Sequence, residues 1–543
     1  MSKAWWKETV AYQVYPRSFQ DSNGDGIGDL PGLLSRLDYL QNLGVGVVWL
    51  CPMYKSPQDD NGYDISDYQA IQPEFGTMDD FDQLLKSMHD RGMKLIIDLV
   101  INHTSDEHEW FIESRASKEN SKRDWYIWKD GKEGAPENQP PNNWESIFGG
   151  SAWKLDEPTD QYFMHLFSTR QPDLNWENLE MRAEVYKMIR WWLDKGIDGF
   201  RLDAISHMKK EPGFPDLPNP DGLKFVPSYP MQMNRPGVLD YLHETCRETF
   251  AKYDVMTVGE ANGVTSTEAH DWIGESPEKL NMLFQFEHLG LWNTDPANRI
   301  ELARLKEVLS RWQKSGVWNA LYVENHDIPR VVSSWGDTGN FWRESATCIA
   351  ALYFLMRGTP FIYQGQELGM TNTVFTSLQD FDDIRAKNLF RERREADWSD
   401  EKILAELGPT SRDNARTPMQ WDASPHAGFT TGKPWSKVNP NYPTINVEAE
   451  EKNPRSVLNF YRQLSKLRAS DEIFVYGEYD LILADHPQVF AYVRTLGDRK
   501  VAVVCNLSSQ EATVELEGEV LLGNYEGASA NFWPYETRVI RVS

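Results

Sequence analysis

The feature that most limits the possible folds is a unit that recurs along the chain: an amphipathic helix, a glycine that stops it, a short apolar strand, and polar residues where the strand ends. Phe81, Leu84, Leu85 and Met88 follow helical spacing, Gly92 closes that helix, and LIIDLVINH follows. In a second instance Val185, Met188, Ile189, Trp192 and Leu193 mark one face, Gly196 stops the helix, and IDGFRLDAISH follows. Each strand has to be returned to the same end by its crossover helix, so the alternation implies a parallel sheet.

Strand candidates of this kind span 10–16, 45–52, 94–103, 198–207, 254–262, 281–288, 318–327 and 359–367. Eight such strands close a (β/α)8 barrel, an α/β fold whose active sites lie at the C-terminal strand ends. The alternative, a doubly wound open sheet, is disfavoured because no Gly-rich dinucleotide loop follows the first strand. About ninety residues separate the third and fourth strands, and that stretch is rich in Trp, Asn, Pro and Gly. A sub-domain inserted at 103–171, beside the active-site face, explains it better than a long unstructured loop. The barrel then takes 1–102 and 172–473. From Phe474 onward VFAYVRTLG, KVAVVCNLS and TRVIRVS alternate and end in turns, so 474–543 reads as a C-terminal antiparallel β-sandwich domain.

A net charge of −26 disfavours nucleic acid and anionic membranes as partners and suits a protein acting on neutral substrates. Cys51, Cys246, Cys348 and Cys505 are far apart in mostly apolar runs, as reduced core thiols would be, which favours the cytoplasm. The N-terminus MSKAWWKETV has no signal-peptide core, and no segment approaches a membrane span. The 21 Trp, 22 Tyr and 24 Phe include rings that could stack on sugars, although most must be core.

Three acids stand at candidate strand ends: Asp203 on the fourth, Glu260 on the fifth, and Asp327, preceded by His326, on the seventh. A single acid at such a place is usually a cap or an ion-pair partner. Three at one barrel mouth suit glycoside hydrolysis, which needs a proton donor for the leaving oxygen and an anion facing the developing oxocarbenium carbon. Arg201 lies two residues before Asp203, on the same strand face, where it could hold a carboxylate ionised. His103 and His326 could donate to sugar hydroxyls.

DLVINH (98–103), GFRLDAISH (199–207), TVGEAN (257–262) and YVENHD (322–327) resemble the four signature regions of the α-amylase family, glycoside hydrolase family 13. QPDLNW (171–176) and GTPFIYQGQE (358–367) look like two further regions, and QPDLN is typical of the oligo-1,6-glucosidase and α-glucosidase branch. The resemblance covers essentially the whole chain. It implies Asp203 as nucleophile, Glu260 as general acid/base, and Asp327 as the acid that stabilises the transition state. It further implies that Arg201, His103 and His326 contact the reacting sugar, that Tyr63 of DNGYDISDY stacks on it, and that Asp60 and Arg416 close the pocket behind a non-reducing-end glucose. Phe148 and Phe167 look like aromatic lining of the same pocket. A closed pocket implies exo-action on a small oligosaccharide; a monomer or small homo-oligomer is the separate expectation for the assembly.

Linkage preference in this branch is associated with the residue after the nucleophile, commonly Val in enzymes favouring α-1,6 links; here it is Ala204. The smaller side chain leaves room for a differently angled second sugar, which favours an α-glucosidase acting on maltose and short malto-oligosaccharides, with isomaltose activity as the alternative. A methyl-sized difference is worth only about 1 to 3 kcal/mol of discrimination. Trehalose-6-phosphate hydrolase would want a basic phosphate site, which is not evident. Sucrose isomerases add an Arg-rich loop after the seventh strand, where NHDIPRVVSSWGD contains only Arg330. Inactive transporter-associated relatives carry a membrane helix and have generally lost catalytic acids.

DSNGDGIGDL (21–30) places oxygen-bearing residues at alternate positions like half an EF-hand, but Gly32 stands where the bidentate Glu should be and a strand precedes it. The family resemblance implies a structural Ca2+ or Mg2+ held by Asp21, Asn23, Asp25, the Ile27 carbonyl and Asp29.

Overall fold

The computed structural model describes residues 2–132, 139–293, 299–527 and 530–542. Eight parallel strands form its centre: β1 (Ala11–Val14), β2 (Val47–Leu50), β3 (Lys94–Val100), β4 (Gly199–Asp203), β5 (Met256–Glu260), β6 (Met282–Phe284), β7 (Ala320–Leu321) and β8 (Thr359–Tyr363). Their spatial order is 6-5-4-3-2-1-8-7, and one parallel bridge from Leu283 to Asn319 joins β6 to β7 and closes the ring. Every expected strand is present, and the fold is the (β/α)8 barrel with an insert after β3 and a C-terminal antiparallel β domain. The strands carry apolar side chains towards both the barrel interior and the helices, so they read as continuous apolar runs rather than alternating ones.

The helices start and stop where local chemistry says they should. Thr77 and Asp80 form a reciprocal capping box at the head of Met78–Asp90. Asn178 caps Leu179–Lys195, and Gly196 ends that helix with φ +104°, a left-handed conformation suited to glycine.

The seventh strand is much shorter than the 318–327 expected. It stops at Leu321 because the following residues find side-chain partners instead of a ladder: the buried Glu324 accepts from Arg330 Nη1 (2.6 Å) and Val331 N (2.9 Å), and Asn325 Oδ1 accepts from Asp327 N (2.8 Å). Asp327 therefore stands on a loop six residues beyond its strand, whereas Asp203 and Glu260 are the last residues of theirs.

The insert contains a small three-stranded sheet of Trp128–Lys129, Gln161–Met164 and Trp153–Asp156. Its core of Trp144, Trp153, Met164 and Leu166 includes Leu217, from the loop after β4, and Val226–Pro227 of that loop pairs with Trp144–Glu145. Two excursions from neighbouring strands thus share one core above the barrel mouth.

The C-terminal sheet runs β9 (Glu478–Ile482), β10 (Val489–Leu496), β11 (Arg499–Asn506), β13 (Thr537–Val542) and β12 (Glu519–Gly523) in spatial order, all antiparallel. Its first strand begins at Glu478, since Phe474 lies in a helical turn, Ile473–Tyr476. One face packs on the barrel helix Trp342–Phe354, where Tyr492 OH donates to Leu352 O (3.0 Å). The opposite face shares a core with Ala512, Val514 and Phe532, and Ala512–Thr513 pairs with Asn531–Phe532. All four cysteines are buried and unbridged. Among the described residues no helix is long and apolar enough to cross a membrane.

Candidate active site

The C-terminal ends of β4 and β5 carry the central carboxylates because both strands run parallel and stop in register: Leu202 lies opposite Gly259, one residue before Asp203 and Glu260 respectively. On the other side of β4, Arg201 lies opposite Asp98 of β3. The Arg201 guanidinium binds all three acids. Nη1 donates to Asp203 Oδ1 (2.5 Å) and Asp98 Oδ1 (2.7 Å), and Nη2 donates to Glu260 Oε2 (2.8 Å). Trp49 Nε1 completes Asp98 at 2.7 Å, and Ala204 N donates to Glu260 Oε2 at 3.1 Å. Ala204 adopts φ +47°, a left-handed conformation that an L side chain takes at a cost, and it aims this N–H at the acid.

Burial pushes the Asp203 carboxyl up and Arg201 opposes it, leaving it at about 6. Burial also pushes Glu260 up; Arg201 counters this less effectively because the charges of Asp203 and Asp327 add to it, and Glu260 reaches about 8. For Asp327 burial is outweighed by His326, Arg412, Arg416 and Arg201, which hold it well below the usual carboxylate range. Three neighbouring acids are thus driven apart in proton affinity.

Asp327 Oδ1 accepts from Arg416 Nη2 (2.9 Å) and Arg412 Nη1 (3.1 Å), and its Oδ2 lies 3.3 Å from His326 Nε2. Gln13 Nε2 donates to His326 Nδ1 at 2.8 Å, which places the ring proton on Nε2, facing Asp327. Burial lowers His326 to about 3 and His103 to about 4, so both rings are neutral hydrogen-bonding groups. Tyr63 stacks on His326 with centroids 5.2 Å apart and planes at 9°.

These groups line a cavity of about 270 Å³ that also includes Asp60, His103, Phe148, Phe167 and Ala204. Phe148 and Phe167 meet edge to face at 5.4 Å, and His103 lies 5.0 Å from Phe167. The sequence-derived residues Asp60, Tyr63, His103, Phe148, Phe167, Asp203, Ala204, Glu260 and Asp327 therefore share one cavity. Arg201, His326 and Arg416 stand behind it, against the acids.

The arginine that reaches Asp60 is Arg412, which sequence reasoning did not single out. Its Nη2 donates to Asp60 Oδ1 (3.2 Å) and to Asp383 Oδ1, and its guanidinium lies 5.1 Å over the Phe148 ring. Arg416, expected to close the pocket together with Asp60, is 1% exposed and donates to Asp327 and to His326 O (3.1 Å). Arg412 opens a turn of 3-10 helix, Arg412–Asn414, and lines the cavity, whereas Arg416 follows that turn and lies behind the cavity against Asp327. Gln171 Nε2 donates to the other Asp60 oxygen at 3.1 Å. Burial leaves Asp60 at about 7 although Arg412 and Arg416 pull the other way. Asp98, Gln171, Asp383 and Arg412 are the site residues missed; the available signals were that Asp98 interrupts an otherwise apolar strand and that Asp98 and Gln171 open the segments DLVINH and QPDLNW.

The loop 21–29 closes on itself. Asp21 Oδ1 accepts from Asn23 N and Gly24 N, Asp21 Oδ2 from Gly26 N and Thr430 Oγ1, Asn23 Oδ1 from Asp25 N, and Asp25 Oδ1 from Ile27 N. Asp29 caps the next helix through Gly32 N and accepts from Ser22. Gly26 has φ +94°, and a Cβ there would lie 1.8 Å from Lys433 O, so only glycine fits where 429–435 docks. No group of three acidic, histidine or cysteine side chains among the described residues converges in metal-holding geometry.

With this geometry the chain can be set beside known proteins. Residues 13–477 match the family model for the α-amylase catalytic domain, and 479–530 match the maltogenic amylase C-terminal domain. The chain belongs to the α-amylase family. Among members of that family it is 53% identical to the probable oligo-1,6-glucosidase 3 of Bacillus subtilis (strain 168), over 99% of both chains. It is 51% identical to the oligo-1,6-glucosidase of Bacillus cereus over the full length of each. The solved structure of the trehalulose synthase from Pseudomonas mesoacidophila MX-45 superposes with a TM-score of 0.94 at 43% identity, covering all of both chains. The enzyme is an α-amylase-family glycoside hydrolase of the α-glucosidase type, acting on small carbohydrates.

Proposed function

We propose that the enzyme is a retaining, exo-acting glucosidase that releases α-glucose from the non-reducing end of short α-linked oligosaccharides. The observation that carries this reading is the pair of acids held by two nitrogens of Arg201, both raised by burial but Glu260 more than Asp203. Carboxylates gripped by one guanidinium suit the separation of about 5 Å that a covalent, configuration-retaining route uses. At neutral pH Asp203, at about 6, is ionised and attacks the anomeric carbon, while Glu260, at about 8, keeps its proton and gives it to the leaving oxygen. The C1–O bond to the leaving group breaks as the C1–Asp203 ester bond forms. Water then attacks C1 from the opposite face, Glu260 takes its proton, and the ester bond breaks. Asp327, kept anionic by its arginines, faces the positive charge of the transition state and accepts from ring hydroxyls. Asp60, bracketed by Arg412 and Gln171, receives the outer hydroxyls of the terminal glucose and closes the pocket behind it.

For the linkage, the names of the relatives support α-1,6-linked oligosaccharides such as isomaltose as preferred substrates. Ala204 is the one feature favouring the second reading, α-1,4 links, through the smaller side chain it presents to the cavity. An isomerase reading gains no support from the loop after β7: Arg330, its sole arginine, is wholly buried against Glu324. Incubation with isomaltose, maltose, sucrose and trehalose 6-phosphate, following glucose release and product identity, tests the assignment. Absence of glucose release from both isomaltose and maltose would refute it.

The residues Asp21, Asn23, Asp25, the Ile27 carbonyl and Asp29 supply the hard oxygen donors a Ca2+ or Mg2+ ion prefers, on side chains folded back over one loop by their own backbone hydrogen bonds. A bound ion there would offset the repulsion between Asp21 and Asp29 and stiffen the contact with 429–435; it would take no part in the chemistry.

A further inference from the structure

We infer that the enzyme has a second sugar-binding site, in a separate cavity on the flank of the barrel, and that its occupancy is felt at His103. The cavity holds about 300 Å³, against about 270 Å³ for the catalytic one, and the two share no lining residue. It lies between the insert, at 124–129, the loop after β4, at 208–214, and Tyr241 of the helix Val238–Glu248. The link to turnover rests on the glycosidase reading above; the binding itself does not.

The lining selects a small neutral ligand that carries hydroxyls. Tyr126, Trp176, Phe214 and Tyr241 give the cavity aromatic walls, against which the apolar face of a sugar ring packs. Phe214 is partly exposed and has φ +51°, a conformation that a bulky side chain seldom takes, so the loop bears a local cost with that ring at the cavity. Lys129 and Asp124 stand exposed at the rim, one a donor and the other an acceptor. The remaining charges are matched already: Lys209 donates to Glu177, and Lys210 Nζ lies 2.7 Å from Asp173 Oδ2. An anion gains little from cations that are paired, whereas a hydroxyl can donate to the acids and accept from the ammonium groups.

Lys210 connects this cavity to the catalytic one. Its side chain is 3% exposed, and Nζ donates to Asn102 Oδ1 at 3.0 Å. An ammonium carries three protons; Asn102 and Asp173 take two, which leaves one for a ligand oxygen. Asn102 Nδ2 in turn donates to His103 Nδ1 at 3.3 Å, and His103 lines the catalytic cavity. A sugar bound to Lys210 therefore acts on the hydrogen bond that fixes the tautomer of His103.

Equilibrium dialysis with labelled glucose reads the binding without turnover. The parent is expected to bind one glucose in each cavity, and Asp60→Ala, which strips the catalytic pocket, is expected to keep one. Phe214→Ala and Lys129→Ala should each weaken that remaining binding by about fivefold or more, the scale of one aromatic contact or one charged hydrogen bond. Competition by isomaltose in Glu260→Gln, where turnover is slow, separates the two sources of the ligand: isomaltose displacing the second glucose makes the substrate the occupant, and glucose left in place makes it the product, the site standing in both cases. In initial-rate kinetics added glucose should lower kcat as well as raise KM in the parent, and raise only KM in Phe214→Ala. No binding left in Asp60→Ala, or second-cavity affinity unchanged in both Phe214→Ala and Lys129→Ala, would overturn the site. Purely competitive inhibition in the parent would overturn its link to His103. A parent without turnover would overturn the glycosidase reading, and the dialysis result would still decide whether the second site exists.

Discussion

Arg201 holds Asp203 and Glu260 on separate nitrogens of one guanidinium, at 2.5 and 2.8 Å. The planar fork fixes the spacing of the two acids and supplies the charge that keeps Asp203 ionisable inside the protein. Lysine offers one point charge in place of the fork. Arg201→Lys is therefore expected to lower kcat/KM for the best disaccharide by about 10²–10³-fold, with little change in far-ultraviolet circular dichroism. Activity within threefold of the parent would remove Arg201 from this role.

The two acids also set a pH window. Below about 6 Asp203 gains a proton and stops acting as a nucleophile; above about 8 Glu260 loses the proton it must donate. A bell-shaped profile of kcat/KM with limbs near these values is expected for the dyad. Glu260→Gln should lower kcat/KM on disaccharides by about 10²–10⁴-fold and abolish the alkaline limb. An alkaline limb that survives in the variant would assign it to another group.

Arg412 ties Asp60 to Asp327 and Asp383 across the closed end of the pocket. Removing it takes away the cation that hydrogen-bonds Asp60 and leaves Asp327 and Asp383 to Arg416 alone. Arg412→Ala is expected to raise KM for disaccharides about 10–100-fold, the scale of one or two charged hydrogen bonds. The measurement is initial-rate kinetics, and an unchanged KM would place glucose recognition elsewhere.

The left-handed backbone of Ala204 makes a separate claim. A β-branched side chain tolerates φ +47° less well than alanine, while glycine adopts it freely. Ala204→Val should reduce stability by about 1–2 kcal/mol in denaturant unfolding and Ala204→Gly should not reduce it. The same variants assayed on maltose and isomaltose report whether the side chain steers linkage independently of that strain.

For the loop at Asp21, addition of Ca2+ to chelator-treated protein should raise the thermal midpoint by about 2 °C or more, and Asp21→Ala should erase the response. An identical midpoint with and without the ion would leave the loop held by its hydrogen bonds alone.

Much of the fold was legible because barrel strands are buried on both faces and the helices before β3 and β4 carry glycine stop signals, Gly92 and Gly196. Asp203 and Glu260 were legible for the same reason: each ends an apolar run. Arg412 and Asp383 were not, because their partners lie tens to hundreds of residues away and nothing local distinguishes them from surface polar residues; Gln171 opens QPDLNW, but its partner Asp60 stands 111 residues earlier. The choice of Arg416 over Arg412 shows the limit. Both belong to RDNAR and both bind Asp327, but only Arg412 reaches Asp60 and the cavity, which depends on partners distant in the chain. The short β7 escaped for a related reason, since Glu324 exchanges strand pairing for Arg330, a partner that sequence alone does not announce.

The closure of the barrel by a lone bridge between Leu283 and Asn319 gives the ring one slack seam. That seam lies under the loop carrying Phe286 and the loop carrying Asn325 and Asp327, and Arg412 and Arg416 tie Asp327 down. Amide protons around β6 and β7 should therefore exchange with solvent before those of β3 and β4. The barrel thus keeps its loosest joint beside the strand that leads to Asp327, and two arginines take over the task of holding that acid in place.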